Sequence, residues 1–194
     1  MSQKCLILGN GDVSSYKFMT DIVGDFVFMS DQISLDYCND NKFDWLISYG
    51  YRYIVTPDIL DYFKGNAINL HISYLPWNRG ADPNLWSIID NTPKGVTIHY
   101  MDEKLDTGDI IAQEEVYFDS DTDTLATSYD KLKVAMEGLF LRSWDAIKNG
   151  TAIRKKQEGN GSYHSVADKA KVQQLINGWD TKISVIKGVN HGNI

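Results

Sequence analysis

Cysteine is nearly absent from this sequence: only Cys5 and Cys38 occur in 194 residues. Neither sits in a paired framework, so they read as free thiols of a reducing compartment rather than a disulfide scaffold. Long apolar runs are missing too. No stretch approaches the roughly 20 residues a membrane helix needs. The opening MSQKCLILGNGD carries one lysine and a very short apolar segment, which is read as neither a signal peptide nor a membrane anchor. Basic clusters are also lacking. There are 26 Asp and Glu against 19 Lys and Arg, a net charge of −7. Nucleic-acid binders gain affinity from Lys and Arg on phosphates, so no nucleic-acid partner is expected. A compact anion held by a few residues remains open. His and Cys are scattered, with no set at metal-ligand spacing, so no metal is expected. There is no internal repeat and no low-complexity tract. What is present is a 43% hydrophobic content in a length that suits one domain. The expectation is a cytoplasmic globule without membrane contact.

Short apolar runs alternate with helical patterns. Lys4–Gly9, Phe26–Ser30, Asp44–Tyr49 and Ala67–His71 read as buried parallel strands. Helices are predicted near Ser14–Val23, Ser34–Asn41 and Pro57–Phe63 between them. This alternation predicts an α/β class with a doubly wound, Rossmann-like, mostly parallel sheet and flanking helices. Right-handed crossovers then gather the strand C-termini along one edge, where ligands of open α/β sheets bind. Further on come a helix near Pro83–Asp90, strands Gly95–Met101 and Ile110–Phe118, and a long helix over about Thr124–Asn149. Residues 1–150 are read as the catalytic domain. Residues 151–194 are read as an extension packed on it, with one short helix over about Val166–Ile176 and a loose HGNI end.

Asn69-Leu70-His71 stands at the C-terminus of the fourth predicted strand. Alternate strand residues point the same way, so Asn69 and His71 share a face. An isolated histidine there would ordinarily be a core residue satisfied by hydrogen bonds. A second histidine, His99, and the turn Met101–Asp109 with its carboxylates change the balance. Gly108 lets backbone fold close to a neighbour. A carboxylate beside His71 would orient the imidazole and favour its charged form, and an Asn69 amide could donate to a developing oxyanion. The set suits acyl transfer without an enzyme nucleophile, since no Ser or Cys is placed as one. Gly9-Asn10-Gly11 gives G-x-G after the first strand, but Ser14 stands where the dinucleotide fingerprint has its third glycine. It is either an anion-approaching loop or a tight turn capped by Ser14 or Ser15. Asp119, Asp121 and Asp123 are spaced like the start of a calcium loop, but Thr124 and Asp130 occupy its glycine and glutamate positions. A solvated turn capping the long helix is expected there.

The stretches NLHISYLPWNRGADP and KGVTIHYMDEKLDTGDIIAQ resemble the folate-dependent formyltransferases, the family of glycinamide ribonucleotide, methionyl-tRNA and nucleotide-sugar formyltransferases. N-x-H, L-P-x-x-x-G, V-T-I-H and L-D-T-G-D occur in order and at family spacing. The resemblance is dense over Asp44–Phe118. The formylation domain of gramicidin-type peptide synthetases is similar at SYGYRYI, LPWNRGADPNLWS and TPKGVTIHYMDE. Ile72 departs from the proline common at its position.

The resemblance implies a catalytic triad of Asn69, His71 and Asp106, with N10-formyltetrahydrofolate as donor and a primary amine as acceptor. It places His99 and Gly108 in support. It assigns folate contacts to Tyr49, Tyr51, Tyr53, Ile54 and Val55, with Met101, Glu103 and Leu105 closing the other side. Acceptor candidates are Asn10, Trp77, Asn78, Arg79 and Asn84. Trp77 could stack on a ring and Arg79 could pair with a phosphate, and either could equally be local packing. The chain shows no separate C-terminal barrel of the tRNA enzymes. That and the acidic balance favour a nucleotide-linked amino deoxysugar of a bacterial surface glycan, such as O-antigen or lipopolysaccharide. An aminoacyl or peptidyl amine and glycinamide ribonucleotide are the alternatives, and a folate-binding module without turnover is the non-enzymatic one. A homodimer stays open. The segment Gln157–His164 resembles a C-terminal element of the sugar-modifying relatives.

Overall fold

The computed structural model describes residues 3–187, and the expected loose HGNI end lies outside them. Strands β1 (Lys4–Leu8), β2 (Asp25–Met29), β3 (Trp45–Ser48) and β4 (Ala67–His71) alternate with helices α1 (Lys17–Val23), α2 (Leu35–Asn41) and α3 (Pro57–Phe63). Two-residue strand β5 (Arg79–Gly80), α4 (Pro83–Ile89), β6 (Gly95–Tyr100), β7 (Ile110–Glu115) and α5 (Leu125–Lys148) follow. The last elements are β8 (Tyr163–His164), α6 (Lys169–Val172) and α7 (Ile183–Lys187). The main sheet is mostly parallel and six-stranded, in the order β2-β1-β3-β4-β6-β7. The pairs β1–β2, β1–β3 and β3–β4 are parallel. Buried on both faces, β1 and β3 read as continuous apolar runs.

Helix ends follow from local chemistry. The Ser34 side chain accepts the Tyr37 N–H at 3.2 Å to start α2, and Pro57 opens α3 with a backbone angle already helical. Lys42 and Lys64 end α2 and α3 in left-handed conformation. The first predicted helix differs: Val13–Tyr16 form a 3₁₀ turn before α1. Its cap is Asp12, accepting the Ser14 N–H at 2.8 Å, and not Ser14 or Ser15. The short oxygen of an aspartate one residue before the turn reaches the free N–H groups first.

The chain divides into two compact units. Among the described residues, one comprises 3–71, 98–112 and 137–156; the other comprises 72–97, 113–136 and 157–187. In the first unit, Leu6, Leu8, Leu46, Val55, Ile59 and Phe63 belong to one apolar cluster. Aromatic rings fill its other side. Trp144 lies 5.5 Å from Phe140 and 5.8 Å from Trp45, centroid to centroid, and is 2% exposed. Trp144→Ala would leave a large cavity, because neighbouring strands and helix cannot collapse into it. It is expected to lower unfolding free energy by about 3–5 kcal/mol, read from denaturant midpoints; an unchanged midpoint would contradict this packing.

In the second unit, β5 and β8 form a parallel pair, Arg79 with Tyr163 and Gly80 with His164. Two-residue strands leave no hydrophobic pattern, so sequence periodicity missed them. The helix expected over 166–176 is a 3₁₀ turn, α6 and a second 3₁₀ turn. The aspartate run is a turn at the head of α5. Asp119 accepts the Asp121 N–H at 2.9 Å, while Asp123 accepts from Lys131 at 2.6 Å and from the Asp119 N–H at 2.7 Å. Burial alone would raise the Asp123 carboxyl, but these bonds and one from Thr127 hold it below the usual carboxylate range. Among the described residues no group of three or more His, Cys, Asp or Glu could hold a metal ion. No described helix is long and apolar enough to cross a membrane.

Candidate active site

The site begins with register. Leu8 stands level with Met29 and Ser48, and Ser48 with Asn69. Asn69 therefore lies at the C-terminal edge of the parallel strands, with His71 two residues further. The chain order reverses two strands away, at β1, with β2 on one side of it and β3 on the other. Such a switch opens a crevice at the strand C-termini.

Asp106 comes to this edge on the turn between β6 and β7. Its backbone is left-handed (φ 55°), a conformation that Asp and Asn tolerate better than most residues. Asn69 Nδ2 donates to Asp106 Oδ1 at 3.1 Å and lies 3.4 Å from His99 Nε2. His99 Nε2 is 3.5 Å from Asp106 Oδ1, and His71 Nδ1 is 3.7 Å from Asp106 Oδ2. All of this is inside the first unit. His71, His99 and Asp106 are 7%, 2% and 6% exposed, so water screens their interactions little.

The cluster assigns its own protons. His99 Nδ1 is 2.8 Å from the Tyr100 carbonyl oxygen, which can only accept, so Nδ1 carries a hydrogen. In the neutral ring Nε2 then accepts from the Asn69 amide. The carboxylate fixes the Asn69 amide, because a flipped amide would set two oxygens against each other. For His71, Nδ1 is the nitrogen nearest Asp106, which puts Nε2 on the opposite edge of the ring. The 3.7 Å separation is longer than a hydrogen bond, and such contacts commonly tighten only when substrate is bound. The arrangement can hold a proton between a carboxylate and an imidazole beside an amide, with no side-chain nucleophile in it.

The loop expected to hold folate is anchored in the first unit's core. Val55 is buried in the apolar cluster, and Tyr51 and Met101 pack against that cluster. The Tyr51 hydroxyl donates to the Asp31 carbonyl at 2.7 Å, and burial pushes its ionisation up. The Tyr49 ring stands edge-on to Tyr16 and Phe18. Tyr53, Ile54 and Leu105 are exposed, at 44%, 76% and 50%; Glu103 is exposed as well. The structure thus separates anchoring residues from those that present apolar surface.

The acceptor candidates divide in the same way. Asn10 is exposed, but its N–H donates to the Tyr16 hydroxyl at 2.6 Å, and the Gly9 N–H goes to the Met29 carbonyl. The first of these bonds closes the turn and the second extends the β1–β2 pairing. Trp77, Asn78, Arg79 and Asn84 belong to the second unit. Asn78 is fully buried; its amide donates to Thr92 at 2.8 Å and accepts from Ser162 at 3.2 Å. Asn84 is buried on Ser128 and the Leu125 carbonyl. Both amides are engaged internally, which favours local structure over ligand contact. Trp77 is 36% exposed. Arg79 donates through Nε and Nη2 to Gln157 Oε1, at 3.1 and 2.8 Å. Gln157 opens the segment that resembles an element of the sugar-modifying relatives, but its bond to Arg79 has no local signal, because 78 residues separate the two.

Asn69, His71, His99 and Asp106 thus form one polar cluster at the C-terminal edge of the parallel strands. The chain belongs to the formyl transferase family, whose profile matches residues 29–143. It is 37% identical over 150 residues to methionyl-tRNA formyltransferase of Pelotomaculum thermopropionicum, covering 75% of this chain and 46% of that protein. It is 31% identical over 134 residues to dTDP-4-amino-4,6-dideoxyglucose formyltransferase of Mycobacterium bovis, covering 69% and 56%. The chain spans about half the length of these curated relatives. Among solved structures, the formyltransferase PseJ from Anoxybacillus kamchatkensis, in complex with UDP-4,6-dideoxy-4-formamido-L-AltNAc and tetrahydrofolate, superposes with a TM-score of 0.88. It is 45% identical, over 96% of this chain and 100% of that one.

Proposed function

We propose that this protein moves a formyl group from N10-formyltetrahydrofolate to the primary amine of a nucleotide-linked amino deoxysugar, in the making of a bacterial surface glycan. The observation that carries this reading is the match, over 96% of this chain and 100% of the other, to a formyltransferase whose structure holds a UDP-linked formamido sugar and tetrahydrofolate. The cluster of half-buried Asn69 with buried His71, His99 and Asp106 would supply the chemistry.

The acceptor nitrogen attacks the formyl carbon and forms a C–N bond, and the carbonyl pair moves onto oxygen. Collapse of the tetrahedral centre breaks the bond to N10. The acceptor loses one proton and N10 gains one, so the site must move a proton without net consumption. Asp106 is the carboxylate within reach of both histidines and the amide. It holds His71 by Nδ1, leaving Nε2 to face the oxyanion as a donor. Asn69 has its Nδ2 hydrogens directed to Asp106 and His99. To donate to the oxyanion it gives up the longer of these contacts, the one to His99. Preorganised donors of this kind act strongly because the site is buried.

The test offers N10-formyltetrahydrofolate with a pool of UDP- and dTDP-linked amino deoxysugars in one tube, and with methionyl-tRNA in another. Formyl transfer is expected in the first only. A tRNA acceptor would need basic surface for phosphates, against a net charge of −7. Efficient formylation of methionyl-tRNA would overturn the acceptor while keeping the donor; no tetrahydrofolate release with any amine would favour a binding module.

A further inference from the structure

The second unit contains a cleft of about 240 Å³, whose lining includes Asn84 of the acceptor candidates. Two aromatic residues line it, Tyr129 and Trp179, with ring centroids 5.5 Å apart at 62°. Trp179 is 61% exposed, yet its backbone is firmly mounted. Its carbonyl accepts the Ala126 N–H at 2.9 Å, and the Thr181 carbonyl accepts the Leu125 N–H at 3.0 Å. Both donors belong to the first turn of α5, whose N–H groups have no partner within the helix. Thr181 closes the turn beneath the tryptophan, accepting the Asn177 N–H and donating to the Gly178 carbonyl, with Gly178 at φ +76°. Tyr129 follows Leu125 by four residues on α5, so it sits one turn along on the same helix face. The ring is thus left wet on a well-defined support at the cleft's edge.

Three further observations narrow that partner. The cleft has a polar element, the Asp82–Lys169 ion pair at 2.8 Å, which offers both an acceptor and donors while adding no net charge. Its volume lies just under the roughly 300–1,000 Å³ of pockets for drug-sized ligands. It therefore suits one nucleoside-sized group, and is too small for a pterin with its aminobenzoyl-glutamate chain. Its lining also includes Ile72, the residue that directly follows His71 in the chain.

We propose that this cleft binds the nucleoside of the nucleotide-linked acceptor, its base lying on the Trp179–Tyr129 pair and its polar edge on Asp82 and Lys169. This rests on the reading of the acceptor as a nucleotide sugar. The aromatic pair supplies stacking, which is tolerant of base identity and worth about 1–3 kcal/mol per base; Asp82 and Lys169 supply the directional contacts.

The probes are UDP and dTDP, titrated calorimetrically into wild-type protein and into Trp179→Ala, with tetrahydrofolate binding measured in parallel. Trp179→Ala is expected to weaken diphosphate binding about 5- to 150-fold, the range of that stacking energy, and to leave tetrahydrofolate binding unchanged. In wild-type protein labelled at tryptophan indoles, saturating UDP is expected to shift the Trp179 resonance, which keeps the test valid should the variant fold poorly. Wild-type-like affinity in Trp179→Ala, or an unmoved Trp179 resonance on UDP binding, overturns the cleft assignment while formyl transfer to nucleotide sugars still stands. Failure of wild-type protein to bind either diphosphate overturns both.

Discussion

Asp106→Asn is expected to lower kcat by about 10²–10⁴, the usual contribution of positioned acid–base groups, while leaving the fold intact. The backbone at 106 is left-handed, and asparagine accepts that conformation as readily as aspartate, so the turn is retained. The chemistry is not. The carboxylate accepts from Asn69 and stands beside both His71 and His99. An amide in its place offers one acceptor oxygen rather than two and brings an NH₂ that must face a donor or an imidazole. Either His71 or Asn69 loses its orienting partner. Under the proposed transfer, the carboxylate that would take the acceptor amine's proton is then gone. The check is single-turnover formyl transfer with a circular dichroism control. A variant that transfers formyl at near wild-type rate would remove Asp106 from the mechanism.

Gly108→Ala is expected to cost activity by about 10²-fold with only a modest loss of stability, although residue 108 carries no reacting group. A Cβ at Gly108 would overlap the Tyr100 carbonyl oxygen. That same oxygen is the acceptor that holds His99 Nδ1 at 2.8 Å. The strand end is otherwise fixed, since the Tyr100 N–H donates to the Asp109 carbonyl at 2.9 Å. Relief of the overlap must therefore push the 106–109 turn outward or rotate the carbonyl away from His99. Both displace Asp106 relative to His71, and a shift of about 1 Å in such a site is enough for a 10²-fold loss. Kinetics with measured folate affinity distinguish this from global damage: kcat should fall while tetrahydrofolate still binds. An alanine variant with unaltered kcat would show that the turn relaxes without moving Asp106.

Much of the first unit was legible in the sequence because its signals are local. Buried parallel strands need unbroken apolar runs, and Lys4–Gly9, Asp44–Tyr49 and Ala67–His71 locate β1, β3 and β4 to within a residue or so at each end. Pro57 and Ser34 mark helix starts by backbone angle and by a side-chain cap. The spacing of Asn69 and His71 places both on one face of a strand end by geometry alone. The ordered motifs point to the family, and residues 29–143 belong to it.

What tertiary structure alone decided is set by partners far apart in the chain. The Arg79–Gln157 bond and the β5–β8 pair join segments that no local pattern connects. Asn78 and Asn84 resemble exposed polar residues in sequence, yet packing buries both and turns their amides inward. Trp179 looks like any core aromatic until the turn at 177–181 docks on the free N–H groups of α5 and leaves its ring wet. The sequence by itself determined the strand edge and the kinds of side chain it carries, because propensity and alternation act over a few residues. Which of those side chains meet, which are buried, and where a cleft forms follow from long-range packing, a cooperative property of the folded chain that no short window of sequence contains.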